Sequence, residues 1–136
     1  MIEILAYIES VDKAIRSVIN FTKFKIIDDQ IDEISEVVNS MKKFTNECIS
    51  CWDNYRKIIY TYFPKKIKRN QLEKLEGILT VIDYLTKGLN TIIFTGIMPD
   101  VLRNQQELLK NQSKDFLEVK EINLKIRKKY LALLIK

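Results

Sequence analysis

Residues Asp29 to Tyr62 read DQIDEISEVVNSMKKFTNECISCWDNYRKIIYTY and contain neither Gly nor Pro. Apolar or semi-apolar side chains recur in this stretch at alternating steps of three and four residues: Ile31, Ile34, Val38, Met41, Thr45, Cys48, Trp52, Tyr55, Ile59 and Tyr62. This spacing places them on one helix face, so the stretch predicts a single long amphipathic helix that ends against Pro64. At about 1.5 Å per residue the helix would be roughly 50 Å long, and the rest of the chain must cover its apolar face.

The composition of the whole chain is that of a helical domain. Its 136 residues are 46% hydrophobic and 30% charged, a balance typical of one globular domain with its own core. Three Gly and two Pro are far fewer than average, so we expect long helices with few connections. The sequence therefore predicts a single all-α domain over residues 1–136.

Three further helices follow from the same kind of pattern, and the four together predict an antiparallel four-helix bundle with long second and fourth helices. The predicted helices span approximately residues 2–24, 29–63, 70–95 and 99–134. Asn70 is the N-cap candidate of the third helix, and Pro99 suits the first turn of the fourth. Gly77 and Gly88 inside the third helix predict the close approach of another helix.

Basic residues are concentrated in two segments of the chain, whose formal net charge is +5. In an antiparallel four-helix bundle, the connection after the second helix and the C-terminal end of the fourth helix lie at the same end. The candidate phosphate- or partner-binding residues are Lys65, Lys66, Lys68, Arg69, Lys125, Arg127, Lys128 and Lys129. Such a basic end suits contacts to a phosphate backbone. The alternative is a solvated loop and a helix C-terminus whose lysines complement the helix dipole.

Aromatic side chains cluster near the end of the second predicted helix. The candidate partner-contact residues are Trp52, Tyr55, Tyr60 and Tyr62. Because basic residues are interleaved with them, they could stack on bases or anchor a partner protein. The alternative is a core rich in aromatic residues, with outward tyrosines that cover apolar surface.

The residues that usually carry catalysis are few. The chain contains no His, which excludes His-based acid–base catalysis and Ser–His or Cys–His nucleophile pairs. Cys48 and Cys51 lie in the middle of a helix, away from the N-terminus that activates thiolates, so we expect buried core thiols and no redox or zinc site. The acidic residues 28–36 are expected to begin the long helix in solvent, at the end opposite to the basic one. We therefore predict no catalytic residue, metal site or cofactor, and no enzymatic activity.

Polar residues interrupt the apolar face of the fourth predicted helix at Gln105, Gln112 and Asn123. In helical bundles such residues set the register or select a partner chain, at a cost in stability. The alternative, which we favour from the sequence, is that this face is partly solvated.

These features favour a non-enzymatic helical-bundle binding module, an accessory subunit of a larger assembly whose basic end contacts nucleic-acid phosphates non-specifically. Another protein is the expected partner, and a homo-oligomer is left open. The first alternative is a protein–protein inhibitor or immunity-type module that occludes its partner without nucleic acid. A minor alternative is a membrane-active bundle that inserts residues 77–99, which Asp83 and Lys87 disfavour. No leader is visible, so a cytoplasmic location without membrane contact is expected.

Overall fold

The computed structural model describes residues 2–62 and 68–135, and this part of the chain is helical without any strand. The helices are α1 (Ile2–Lys23), α2 (Ile31–Tyr62), α3 (Arg69–Thr95), α4 (Pro99–Lys110) and α5 (Ser113–Ile135). The all-α class is confirmed, and the first three predicted helices lie close to α1, α2 and α3. The predicted four-helix bundle is not confirmed, because residues 2–62 and 68–135 form five helices: the predicted helix 99–134 is divided in two.

The division lies at Asn111 and Gln112, between α4 and α5. The N–H of Gln112 donates to the backbone oxygen of Leu109 at 3.0 Å, which is a tighter turn than that of an α-helix. The hydroxyl of Ser113 donates to the backbone oxygen of Lys110 at 2.7 Å and so competes with the helical ladder for that carbonyl. The same kind of hydroxyl bond occurs at Ser17 and Ser50 inside the uninterrupted helices α1 and α2, so it does not by itself divide a helix. The tight turn at Gln112 separates two helices that the apolar spacing joins.

The start of α3 differs in detail from the prediction. Lys68 takes the N-cap position with an extended backbone, and its N–H donates to Oε1 of Gln71 at 3.3 Å. Asn70, the predicted N-cap, lies inside the first turn. Gln71 thus plays the reciprocal part of a capping box with Lys68.

The helices pack as antiparallel neighbours. α1 packs against α2, α5 and α4, and α3 packs against α2 and α5. Tyr7 near the start of α1 meets Asn54 near the end of α2, whereas Ser17 lines a groove with Met41, nearer the start of α2. The same reversed order relates α1 to α5 and α3 to α5. The start of α3 and the end of α5 therefore lie at one end of the molecule.

The core is built on α2, as the spacing in the sequence predicts. The buried members of its apolar face are Ile34, Val38, Met41, Thr45, Cys48, Tyr55 and Ile59. Ile31 at the start of the helix is exposed, and Trp52 is half-buried against the core. α1 contributes an equally continuous face, in which Val11, Ile15 and Val18 are completely buried. Since full burial of a large aliphatic side chain contributes about 1.5–3 kcal/mol, this shared core is the main source of stability.

α4 is fixed to the end of α1 by a buried amide that the sequence analysis did not single out. Nε2 of Gln106 donates to the backbone oxygen of Phe21 at 2.8 Å and to that of Phe24 at 2.6 Å. Carbonyls at the end of a helix lack their full set of helical donors, so Gln106 acts as a C-terminal cap supplied by another helix.

Arg103 extends this connection to the loop between α1 and α2. It donates to the backbone oxygen of Ile26 at 3.0 Å and pairs with the carboxylates of Asp28 and, at 2.9 Å, Asp100. The loop thereby keeps its conformation at the end of the molecule where the exposed acidic residues 28–36 lie.

The two glycines of α3 face open space. A Cβ atom built on Gly77 or on Gly88 would meet nothing within 4 Å, apart from neighbours in the helix itself. The predicted close approach of another helix at these positions is therefore wrong for the described part of the chain, and nothing in its packing explains either glycine.

Candidate functional site

The start of α3 and the C-terminal half of α5 border a common groove, which we call the α3–α5 groove. Its volume is about 530 Å³, and it is lined by Asn70, Gln71, Lys74, Glu118, Glu121, Ile122, Leu124, Lys125 and Lys128. Two of the predicted basic residues, Lys125 and Lys128, therefore lie in the groove, and Lys68 and Arg69 begin the helix beside it. Lys65 and Lys66 lie outside the described residues.

The predicted basic residues differ in how far they are neutralised. Lys125 and Lys128 are exposed and take part in none of the ion pairs formed among the described residues. Arg69 is also exposed, but its Nε lies 3.3 Å from a carboxylate oxygen of Glu73, one turn further along α3. Exposed pairs of this kind are weak, so Arg69 stays available for other anions.

Arg127 and Lys129 do not line the groove. Arg127 faces α1, where its Nη2 lies 3.7 Å from Oε1 of Glu9. Lys129 is half-buried. Arg127 thus faces a different direction from Lys125 and Lys128, although it lies between them in the sequence.

The groove also contains carboxylates, and one of them is paired. Lys74 of α3 forms an ion pair and hydrogen bond with Glu118 of α5. That hydrogen bond raises the pKa of Lys74 and lowers the pKa of Glu118. Glu121 is exposed beside them. The field in the groove is therefore only moderately positive, and its positive part lies toward Lys125 and Lys128.

Tyr55 does not lie on a surface. It is buried in the core, where its hydroxyl donates to Oδ1 of Asn123 in α5. Burial raises the pKa of this hydroxyl well above the usual range of a tyrosine. Nδ2 of Asn123 donates in turn to the backbone oxygen of Ile8 at 3.0 Å. Tyr55 and Asn123 therefore form a buried polar junction among α1, α2 and α5, and the solvated alternative for Asn123 is wrong.

The other predicted aromatic residues do not form a continuous surface either. Trp52 is half-buried where α2 meets Leu72 and Leu75 of α3. Tyr60 is exposed, and its hydroxyl donates to a carboxylate oxygen of Glu76 at 2.8 Å, which raises the pKa of the tyrosine. The side chain of Tyr62 lies outside the described residues. Among the described members of this set, Tyr60 is the exposed one.

The cysteines lie in the core. Cys48 and Cys51 are free and buried, and burial raises the pKa of both thiols. Sγ of Cys51 donates to the backbone oxygen of Cys48 at 3.3 Å. Within residues 2–62 and 68–135, no group of three or more Cys, Asp or Glu side chains is arranged to hold a metal ion.

The remaining polar residues of the fourth predicted helix are both half-buried. Gln105 lies on α4, and Gln112 lies in the turn before α5. Oε1 of Gln112 is buried without a hydrogen-bond partner among the described residues. Neither residue forms a junction like that of Asn123, so the three positions have different roles.

The apolar run 77–99, which the membrane-active alternative would insert, lies mostly in α3 and contributes one face of that helix to the core. Ile82, Leu85 and Leu89 of α3 are buried in it. None of the helices in the described part of the chain is both long enough and apolar enough to cross a bilayer.

Comparison with protein-family models, with curated proteins and with solved structures gives no match to this chain. The residues of the α3–α5 groove and their geometry are therefore the basis for assigning a function.

Proposed function

We propose that this protein is a non-enzymatic binding module, an accessory subunit of a larger assembly, whose basic end contacts nucleic-acid phosphates without reading the bases. The observation that carries the proposal is the position of Lys125 and Lys128. Both side chains are exposed, line the α3–α5 groove and lie beside the first turn of α3. Lysines without a carboxylate partner release bound counterions from a nucleic acid most effectively.

The start of α3 adds to this positive field. Its first turn contains no acidic residue, so nothing there offsets the positive end of the helix dipole. Lys68 and Arg69 are exposed at the same helix end. A helix N-terminus with lysines nearby is a favourable place for a phosphate group.

The predicted partner-contact aromatic residues offer the bases little to stack on. Tyr55 is in the core, Trp52 is half-buried, and Tyr60 donates its hydroxyl to Glu76. Stacking platforms for single strands need several exposed aromatic faces along the path of the strand. Contact to the backbone without sequence preference is therefore the mode of binding that these residues support.

The salt dependence of binding is the measurement that tests the proposal. With contacts from Lys68, Arg69, Lys125 and Lys128, affinity for duplex DNA should fall on the order of 100-fold between about 50 and 200 mM salt. Fluorescence anisotropy with labelled single- and double-stranded DNA and RNA of mixed sequence would give the slope for each.

A pair of matched variants locates the contact. Lys125→Gln with Lys128→Gln should lower the slope of log K against log salt by about 2. Lys23→Gln with Lys25→Gln removes the same charge from exposed positions at the opposite end and should leave the slope nearly unchanged. An absence of binding at low salt, an affinity that ignores salt, or equal effects of the two variants would overturn the proposal.

A further inference from the structure

α5 has apolar residues on two of its sides, and one of these sides is exposed. The inner side is buried in the core through Phe116, Val119, Ile122, Ile126 and Tyr130. The outer side carries Leu117, Leu124 and Leu131, each seven residues from the next. We call these three residues the leucine ridge.

The leucine ridge lies away from the buried face of α5 but still borders the neighbouring helices. Leu117 lines a small pocket with Ile19 and Lys23 of α1. Leu124 lines the α3–α5 groove. Leu117 is 51% exposed, Leu124 is 42% exposed, and Leu131 is half-buried. α5 packs against both α1 and α3, and these helices leave the ridge partly uncovered. A leucine at every seventh position makes a line along one face of a helix, which is the pattern by which one helix docks on another.

The charges beside the ridge indicate what would cover it. Lys128 and Glu121 lie in the row of side chains on the α3 side of the ridge, and Lys120 lies in the row on the α1 side. A second copy of α5 laid on this face would bring lysines against lysines, which disfavours a homodimer through the ridge. A helix with acidic residues on both sides of its own apolar stripe would instead meet opposite charges.

We infer that the leucine ridge of α5 is the docking site for an acidic amphipathic helix of a partner protein. The partner would place apolar side chains on Leu117, Leu124 and Leu131, in the manner of helix-in-groove recognition, and carboxylates near Lys120 and Lys128. The α3–α5 groove runs beside the ridge, because Leu124 lines it too, and gives the acidic flank of the partner room to lie. This contact goes beyond the phosphate contact proposed above and does not depend on it.

Binding of a synthetic peptide to the full-length protein tests the inference. The probe is a labelled three-heptad helix with leucine at the first and fourth positions of each heptad and glutamate at the positions beside them. Its counterpart carries lysine in place of every glutamate. Anisotropy should show saturable binding of the glutamate peptide at micromolar concentration and no binding of the lysine peptide.

The variants make the test specific to the ridge. Leu117→Ser with Leu124→Ser should weaken binding of the glutamate peptide at least tenfold. The control is Val101→Ser with Leu108→Ser on α4, which has the same spacing and exposed side chains of 42% and 63%, and it should change binding less than twofold. Circular dichroism checks that both variants are folded. Binding of mixed-sequence DNA should be the same for the ridge variant and the wild type, which separates this contact from the phosphate contact.

Four results would overturn the inference. They are failure of the glutamate peptide to bind, equal binding of the lysine peptide, unchanged binding by the ridge variant, and an equal loss in the control. Binding of either of two other occupants at the ridge would also overturn the inference, and each can be detected by its own measurement. A second copy would appear as self-association in sedimentation velocity that the ridge variant abolishes, and a membrane would appear as binding to anionic vesicles that the ridge variant abolishes.

Discussion

The buried junction between Tyr55 and Asn123 makes the sharpest prediction about stability. Tyr55→Phe removes the hydroxyl and leaves Oδ1 of Asn123 without its donor in a buried site. Asn123→Leu keeps the number of side-chain heavy atoms but leaves the Tyr55 hydroxyl without its acceptor. We expect each single variant to be less stable than the wild type, whereas the double variant should recover much of the loss.

The magnitudes follow from the cost of an unpaired buried polar group, which is about 1–3 kcal/mol. Each single variant leaves one such group without a hydrogen-bond partner. Simple addition therefore predicts that the double variant loses roughly 2–6 kcal/mol of its free energy of unfolding. The double variant, however, replaces both partners by apolar groups. The backbone oxygen of Ile8 loses its hydrogen bond from Asn123. Because Ile8 lies inside α1, this oxygen still accepts a hydrogen bond within the helix. The double variant should therefore lose at least about 1 kcal/mol less stability than the sum of the two single variants.

Urea unfolding at neutral pH, followed by circular dichroism and by the fluorescence of Trp52, gives the free energy of unfolding of all four proteins. Tyr84→Phe serves as the control, because this tyrosine is 75% exposed, and it should change the free energy of unfolding by less than about 0.5 kcal/mol. Two results would refute the reasoning. One is additivity of the single variants within about 0.5 kcal/mol. The other is a Tyr55→Phe variant as stable as the control.

The remaining expectations concern the glycines of α3, the thiols and the cap on α1. Gly77→Ala and Gly88→Ala should each raise the free energy of unfolding by about 0.5–1 kcal/mol, since a Cβ meets only open space there, and thermal unfolding should show a higher Tm. Cys48 and Cys51 should resist a thiol reagent in the folded protein and react in denaturant. Because burial raises their pKa from the usual 9.0, stability should fall as the pH rises above that value, and replacing Cys48 by Ala should reduce this dependence. Gln106→Ala should cost about 1–3 kcal/mol in urea unfolding, and a loss below about 0.5 kcal/mol would show that the cap on α1 is dispensable.

The sequence predicts the helices because the apolar spacing that marks a helix lies within the residues of that helix. Apolar residues at steps of three and four mark the buried face of α2, and most of the residues so marked are buried. The scarcity of Gly and Pro correctly limits the number of connections. The antiparallel order of neighbouring helices follows from short connections, and it brings the start of α3 next to Lys125 and Lys128.

Features that depend on contacts between distant residues were not predictable in this way. The tight turn between α4 and α5 contains neither Gly nor Pro, and its residues also fit an uninterrupted helix, so the apolar spacing does not indicate the division. In the sequence, Gln106 and Arg103 look like any other polar residues of α4. Only the position of α1 shows that Gln106 caps the end of α1 and that Arg103 binds the loop after it. The prediction about Gly77 and Gly88 was wrong because the absence of a side chain is as compatible with open space as with the close contact of another helix.

The same limit applies to the candidate site and shows how the core determines the surface. The sequence places four basic residues within five positions of α5, but the rotation of that helix decides which of them face outward. The bonds of Asn123 to α1 and α2 fix this rotation, because a turned α5 would break both of them. With Asn123 held inside, Arg127 must face α1, Lys125 and Lys128 must line the α3–α5 groove, and the leucine ridge must face outward. The polar junction in the core therefore determines which side chains the protein offers to a phosphate or to a partner helix.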